Sequence, residues 1–221
     1  MADNAARNSS KSRPLRALFV GNSFTARNDV PGTIARLAAA SGRALDHRLI
    51  SAGGASLRRH WNAGTVQASL ATEPFDVVVL QEQSTLPVKN ANRMHENIRL
   101  LDAAIRSAGA RTVLYMTWAR KNEPHNQRAI ADAYASIGHE IGAVVAPVGL
   151  AWERFTARHD TPALHDRDLS HPTVAGSYLA ACVLYKALFG RKPSGLGGGV
   201  PGLTAAEVKA LEKAAVTRPL Q

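Results

Sequence analysis

Five short apolar segments alternate with segments of helical periodicity along most of this 221-residue chain, and this alternation constrains the fold more than any other sequence feature. The apolar segments span residues 15–21, 45–50, 75–80, 112–118 and 143–148. Several of them are apolar at consecutive positions, which is typical of strands that are covered on both faces of a sheet. Strands that alternate with helices favour a parallel sheet.

Each longer helix is indicated by one apolar stripe at helical spacing, and each stripe should lie on the sheet. The first helix starts near Asp29 and Pro31 and stops at Gly42. The stripes are Val30, Ile34, Leu37 and Ala38; Ile98, Leu101, Ile105 and Ala108; Ile130, Ala133, Tyr134, Ile137 and Ile141; and Tyr178, Ala181, Tyr185 and Leu188. We therefore predict an α/β fold, a three-layer αβα sandwich with a flavodoxin-like, doubly wound parallel sheet of about five strands.

The two ends of the chain differ from this central region. We expect residues 1–14 to form a flexible N-terminal segment and residues 15–190 to form the main domain. Residues 191–221 are expected to form a Gly-rich linker and a C-terminal helix. Thr204 and Glu207 have the spacing of a capping box, which opens a short helix that runs to about Val216.

Composition excludes several classes of protein. Hydrophobic residues make up 45% of the chain and charged residues 20%, which fits an ordinary folded domain and excludes a mainly disordered chain. Cys182 is the one cysteine, so neither an internal disulfide nor a cysteine-based zinc site can form within the chain. We expect a cytoplasmic protein without a membrane partner, because no segment approaches the ~20 apolar residues of a membrane helix and residues 1–14 lack a signal peptide's apolar stretch.

The net charge of +10 raises the question of nucleic-acid binding. The basic residues are scattered along the chain rather than gathered in a stripe, which favours a solvated arginine-rich surface over a nucleic-acid groove. His60, His95 and His125 are far apart and lack acidic partners at helical spacing. The sequence therefore predicts no nucleic-acid partner, no metal site and no cofactor.

Chemistry is expected just beyond the carboxyl ends of the strands, where open parallel sheets bind ligands. Ser23 follows the first strand at a turn, so its hydroxyl can lie at the rim of the sheet. Gly53 and Gly54 follow the second strand, and glycine lets backbone amides approach a ligand closely. A polar segment that includes Glu82 and Gln83 follows the third strand. We expect Glu82 to be a buried hydrogen-bonding residue that braces this loop.

Asp168 and His171 lie three positions apart in a loop directly before the last long helix. A carboxylate at this spacing can hold the imidazole by its Nδ1 proton and leave Nε2 free to take a proton from a nucleophile. Together with Ser23 these residues outline a serine triad. Each fragment alone is common, since a Gly-Asn-Ser turn is a frequent loop and Asp-x-x-His often begins a helix.

The order of these fragments, and their positions after successive strands, resembles the SGNH hydrolases, also called GDSL-type esterases and lipases. The turn at Ser23 reads Gly-Asn-Ser where the family more often has Gly-Asp-Ser, and Gly53 and Gly54 are similar to its second block. The polar segment after the third strand is similar to the third block, and Asp168 with His171 to the fifth. The resemblance covers residues 15–190 and implies that they form an SGNH-like hydrolase domain.

The resemblance also implies the roles of individual residues. Ser23 would be the nucleophile, His171 the general base and then the general acid, and Asp168 the residue that orients the imidazole. The oxyanion hole would consist of the backbone amides of Ser23 and Gly54 and the side-chain amide of Gln83. The family usually has asparagine at the position of Gln83, whose amide sits on a stem one methylene longer.

We therefore expect a serine esterase that hydrolyses a short-chain or carbohydrate acyl ester through an acyl-enzyme intermediate. Its expected partner is a small-molecule or carbohydrate ester substrate. An acyltransferase with the same triad is one alternative. A non-catalytic flavodoxin-like module that binds an anionic partner is another. Trp118, at the end of the fourth strand, is predicted to contact substrate as part of an acyl or sugar pocket, with packing in the core as the alternative.

Overall fold

The computed structural model describes residues 13–216, so the predicted N-terminal segment lies outside the described residues except for its last two positions. None of the helices in this part of the chain combines the length and the apolar character that spanning a membrane requires. The elements follow in the order β1 (Leu15–Gly21), α1 (Ser23–Ala26), α2 (Val30–Ala40), β2 (Leu45–Ser51), α3 (Leu57–Asn62), α4 (Thr65–Thr72), β3 (Val77–Leu80), α5 (Leu86–Lys89), α6 (Ala91–Ser107), β4 (Arg111–Tyr115), α7 (Asn126–Ile141), β5 (Val144–Ala146), α8 (Val148–Thr156), α9 (Val174–Phe189) and α10 (Ala205–Ala214).

The strands form one parallel sheet in the order β2-β1-β3-β4-β5, which confirms the predicted flavodoxin-like arrangement. Gly21 at the end of β1 pairs with Ser51 at the end of β2, and Val20 pairs with Leu80 at the end of β3. Three neighbouring strands therefore end at the same edge of the sheet. The loops that follow them are held side by side.

Side chains of the central strands alternate between two apolar cores, one on each face of the sheet. Ala17 and Phe19 of β1 face the core that α2, α8, α9 and α10 cover, whereas Leu18 and Val20 face the core that α3, α4, α6 and α7 cover. This is the predicted three-layer sandwich. The apolar stripes of α2, α6, α7 and α9 pack on the sheet as expected, except that α6 ends at Ser107 and leaves Ala108 exposed.

Several strands are shorter than predicted. β5 ends at Ala146 because Pro147 has no N–H to donate to a neighbouring strand, and the chain turns directly into α8. β4 ends at Tyr115, so Trp118 lies in an irregular segment beyond the sheet, where the Ala119 amide donates to the Gln127 side chain. β2 is an edge strand, and most of its side chains are exposed rather than covered on both faces.

Some short helices carried no recognisable sequence signal. α1 and α5 have four residues each and α3 has six, so none is long enough to display a helical stripe. The sequence places Val148 at the end of the fifth strand because it continues the apolar run, whereas it is the first residue of α8. These helices nevertheless shape the edge of the sheet, since α1 follows β1 and α5 follows β3 directly after short turns.

The C-terminal helix α10 begins with the predicted capping box, in which Thr204 and Glu207 exchange hydrogen bonds. Its residue Leu211 is fully buried in the core that α8 and α9 share. The buried Glu212 carboxylate accepts hydrogen bonds from the backbone amides of Gly195 and Gly197. The Glu212 carboxylate therefore ties the Gly-rich segment before α10 to that helix.

This arrangement predicts that Gly197→Ala destabilises the protein. A Cβ at this position would lie 1.8 Å from the Tyr178 hydroxyl oxygen and 2.8 Å from Glu212 Oε1, and both side chains are buried. We expect the free energy of unfolding, measured by urea titration, to fall by about 1–3 kcal/mol. Gly198→Ala is the matched control, because a Cβ there meets no atom within 4 Å. Equal effects of the two substitutions would contradict the described packing.

Candidate active site

The structure brings Ser23, His171 and Asp168 together at the carboxyl edge of the sheet. The Ser23 hydroxyl lies 2.9 Å from His171 Nε2, although the two residues are 148 positions apart in the chain. On the other side of the ring, His171 Nδ1 lies 2.5 Å from the Asp168 carboxylate. With the ring proton on Nδ1, Asp168 accepts from the imidazole and Nε2 is free to accept from the serine.

The loop that carries His171 is organised around the Asp168 carboxylate. Its second oxygen accepts from the backbone amides of Ser170 and His171 at 3.0 and 2.9 Å. The hydrogen bond from the His171 ring, followed by the one from the His171 backbone, holds the pKa of Asp168 well below its usual range. Leu169 takes a positive φ of 62° inside this tight turn. Asp168 therefore stays ionised at neutral pH and orients both the loop and the ring.

Asn22 fixes the turn that presents Ser23. Its side-chain oxygen accepts from the Phe24 amide at 3.0 Å and so caps α1. Its side-chain nitrogen donates to the Ala55 carbonyl at 3.0 Å, which ties this turn to the loop after β2. A neutral amide meets both demands, because it accepts on one atom and donates on the other.

Gln81, directly after β3, supports the same turn from the other side. Its buried Oε1 accepts from the Asn22 amide at 3.0 Å and from the Thr25 hydroxyl at 2.9 Å. Gly21 lies against this side chain, because a Cβ there would approach Gln81 Oε1 to 2.6 Å. Sequence reasoning assigned no role to Gln81. The signal was its place as the first polar residue after a buried apolar strand.

Glu82 has the bracing contacts that the sequence led us to expect. It is fully buried, and its Oε1 accepts from the amides of Leu57 and Gln83 at 2.9 and 2.7 Å. Its other oxygen accepts from the Asn97 side chain at 2.8 Å. Burial raises the pKa of Glu82 above its usual value, against the effect of these hydrogen bonds. The carboxyl joins the loop after β3 to α3 and α6.

The predicted oxyanion donors lie on three neighbouring loops. Gly54 adopts a positive φ of 63°, a conformation that glycine tolerates. Within residues 13–216, the amides of Ser23 and Gly54 donate to no protein acceptor. Gln83 Oε1 accepts from the Thr85 amide, the Thr85 hydroxyl and the Leu86 amide at 2.9, 2.9 and 3.0 Å. These bonds fix the amide plane and leave the Gln83 nitrogen as a donor.

Trp118 is packed in the core rather than displayed to solvent. Its indole stacks on Phe24 on one face and on Trp152 on the other, and only 2% of the residue is exposed. Its Nε1 donates to the Ser170 carbonyl at 3.0 Å. Both faces of the ring are therefore covered, which favours the alternative of packing in the core, and a contact with substrate stays a prediction.

Two further histidines support the site without contacting Ser23. His60 is buried and its Nε2 donates to the Gly21 carbonyl at 2.7 Å. His165 donates from Nε2 to the Ala119 carbonyl at 3.0 Å, and its neighbour Asp166 pairs with Arg27 at 3.1 Å. Burial lowers the pKa of both histidines. Each therefore holds a backbone carbonyl as a neutral donor.

A small cavity of about 200 Å³ lies beside these loops. Its lining includes Ser84 and Thr85, which follow Gln83, and Ser170, which precedes His171. Trp118 and Arg120 line another wall. In the described part of the chain, no group of three or more His, Cys, Asp or Glu side chains is arranged to hold a metal ion.

Comparison with solved structures decides the family. A candidate SGNH hydrolase from Slackia heliotrinireducens is 31% identical in sequence and superposes with a TM-score of 0.69. The match covers 79% of this chain and 99% of that one. This chain belongs to the SGNH hydrolase superfamily.

Other solved structures share this SGNH-superfamily chain's architecture at lower identity. A DUF4886 family protein from Bacteroides uniformis is 20% identical over 92% of this chain and 93% of that one, with a TM-score of 0.77. A variant of an acetyl xylan esterase from Geobacillus stearothermophilus is 16% identical over 79% and 94%, with a TM-score of 0.60. No protein-family model and no curated protein matches the sequence.

The SGNH motif of this chain contains Asn22 where aspartate is commoner, so Asn22→Asp tests its donor role. We expect the free energy of unfolding at neutral pH to fall by about 1–3 kcal/mol, because an ionised carboxylate leaves the Ala55 carbonyl without a donor. Burial beside that carbonyl raises the pKa of the new carboxyl. The folded variant then binds more protons than its unfolded chain. The loss in free energy of unfolding, relative to the unaltered protein, therefore becomes smaller as the pH falls toward about 4.

Urea titrations at several pH values measure this effect. Asn90→Asp is the control, because the exposed Asn90 caps α6 through its oxygen alone and an aspartate keeps that bond. A deficit that is independent of pH, or one that is equal in both variants, would contradict the donor role of Asn22.

Proposed function

We propose that this protein is a serine esterase that hydrolyses a short-chain or carbohydrate acyl ester through an acyl-enzyme intermediate. The observation that carries this proposal is the hydrogen-bonded chain from the Ser23 hydroxyl through His171 to the Asp168 carboxylate. A serine hydroxyl is a poor nucleophile at neutral pH, and a hydrogen-bonded imidazole is the group that can take its proton.

Acylation begins when Ser23 Oγ attacks the ester carbonyl carbon while its proton passes to His171 Nε2. The imidazolium that forms is stabilised by the ionised Asp168 on its Nδ1 side. The carbon–oxygen bond to the alcohol then breaks, and Nε2 returns the proton to the departing oxygen. The product at this stage is an acyl-Ser23 and a free alcohol.

The tetrahedral intermediate carries negative charge on the former carbonyl oxygen. The amides of Ser23 and Gly54 and the Gln83 nitrogen are the donors we assign to it, because each is free of a protein acceptor within residues 13–216. A preorganised donor of this kind contributes about 3 kcal/mol to transition-state stabilisation. Gln83 suits the task since three hydrogen bonds on its oxygen hold the amide in place.

Deacylation repeats these steps with water as the nucleophile. His171 Nε2 takes a proton from water as the water oxygen attacks the acyl carbon, and it returns this proton to Ser23 Oγ when the acyl–enzyme bond breaks. The carboxylic acid leaves and the hydroxyl of Ser23 is restored. The half-exposed position of Ser23 gives water access to the acyl group.

A cavity that is lined by Ser170, the residue before His171, supports the substrate class. Its volume of about 200 Å³ suits a short acyl group or one sugar unit rather than a long chain. The hydroxyls of Ser84, Thr85 and Ser170 on its walls suit a polar substrate. The fold is shared with a protein named as an acetyl xylan esterase, which agrees with a short acyl group on a carbohydrate.

Ser23→Ala tests the nucleophile. We expect this substitution to reduce turnover of p-nitrophenyl acetate by about 1,000-fold or more, because no other group takes over the covalent step. Ser107→Ala, at the exposed end of α6, is the matched control and should retain full turnover. Turnover by the Ser23 variant at the rate of the control would contradict the proposed function.

Gln83→Glu tests the side-chain donor with an isosteric change. The oxygen that caps the following turn is kept, while the donor nitrogen is replaced by a charged oxygen facing the developing oxyanion. We expect kcat for p-nitrophenyl acetate to fall by ~100-fold or more. Asn90→Asp adds a nearby charge outside the site and should leave kcat unchanged. A Gln83 variant with the kcat of this control would remove Gln83 from the oxyanion hole.

A further inference from the structure

Five aromatic rings form a continuous stack that runs from the candidate active site into the protein. The His171 ring meets the Phe24 ring edge-on at 5.4 Å, and Phe24 stacks on Trp118 at 4.6 Å with an angle of 5°. Trp118 stacks on Trp152 at 3.9 Å with an angle of 8°. Trp152 meets His165 edge-on at 4.9 Å. Such stacks hold their members at fixed separations.

Trp118 contacts both of the segments that meet at the triad while belonging to neither. One face of its indole covers Phe24, the residue directly after Ser23. Its Nε1 donates to the carbonyl of Ser170, the residue directly before His171. A single rigid side chain thus spans the two segments that the hydrogen bond between Ser23 and His171 joins.

We propose that Trp118 is a positioning residue that sets the separation and the relative orientation of Ser23 and His171. This proposal rests on the proposed function and concerns a residue whose two ring faces are covered by Phe24 and Trp152. The indole of Trp118 has few rotamers and both of its faces are covered. Its hydrogen bond to the Ser170 carbonyl therefore resists a displacement of the Phe24 ring that stacks on it. Catalysis is sensitive to such shifts, since a displacement of about 1 Å can slow a reaction by ~100-fold.

Trp152 provides the matched comparison. It is the same residue type, is equally buried at 2% exposure and also uses its indole N–H, which donates to His165. Within residues 13–216, neither a hydrogen bond nor a ring contact joins Trp152 to Phe24 or to Ser170. A substitution that removes the indole N–H should therefore lower stability at either position. It should slow catalysis mainly at Trp118.

The experiment compares Trp118→Phe with Trp152→Phe. For each variant we would measure Tm, kcat and KM for p-nitrophenyl acetate, and the rate at which a fluorophosphonate probe labels Ser23. Phe24→Leu is a second variant that keeps Trp118 but removes the ring between Trp118 and His171. The labelling rate reports the reactivity of Ser23 apart from substrate binding, which a merely structural residue would not alter in a protein that remains folded.

We expect Trp118→Phe and Phe24→Leu to lower kcat and the labelling rate together by about tenfold to 100-fold, with KM changed less than about twofold. Trp152→Phe should keep more than half of both rates at a similar loss of Tm. Equal losses of rate at positions 118 and 152, or an unchanged labelling rate in the folded Trp118 variant, would overturn the proposal. Absence of labelling in the unaltered protein would instead overturn the proposed function.

Discussion

The hydrogen bond between Ser23 and His171 joins segments that are 148 residues apart, so its geometry depends on everything that fixes those two segments. β1 carries the serine to the edge of the sheet, and parallel pairing with β2 and β3 brings the neighbouring loops to the same edge. The segment before α9 then folds back over this edge. Asn28, which follows α1, links the serine-bearing segment to this returning segment by donating to the Pro172 carbonyl and to the Ser177 hydroxyl.

Buried amides and one buried carboxyl convert the open edge of the sheet into a rigid surface. Asn22, Gln81 and Glu82 each accept backbone N–H groups that the turns leave without partners. Buried polar groups must be paired, so these side chains satisfy the loops as well as hold them. Among the described residues, the amides of Ser23 and Gly54 have no protein acceptor, and the Ser23 hydroxyl is hydrogen-bonded to His171.

The fold was predictable because its signals are local. Consecutive apolar residues in β1 and β3, and stripes in α2 and α9, follow directly from the periods of strand and helix. The proximity of Ser23 to the loops after β2 and β3 was also predictable, because parallel strands fix where the loops that follow them lie. The loop with Asp168 and His171 follows α8 rather than a strand, so its place in the site was predictable only from the spacing of the two residues and from the family resemblance. The order of the blocks along the chain then gave the family resemblance.

The supporting residues were not predictable, because their roles depend on partners far away in the sequence. Gln81 is 59 positions from Asn22, whose amide it accepts, and Trp118 is 52 positions from Ser170. The position of Trp118 after a strand allows either a substrate contact or core packing, and its stacking between Phe24 and Trp152 depends on residues that are distant in the sequence. Short helices such as α5 and α8 were missed for a related reason, since tertiary packing rather than local periodicity determines them.

The most direct test of the whole account is to find where a fluorophosphonate becomes attached to the protein. Intact mass followed by peptide mapping would identify the modified side chain. We predict one phosphonyl group per chain, on the peptide that contains Ser23, and no such group after His171→Ala. A protein that remains unmodified, or one that is modified at a different serine while Ser23 stays free, would contradict this prediction.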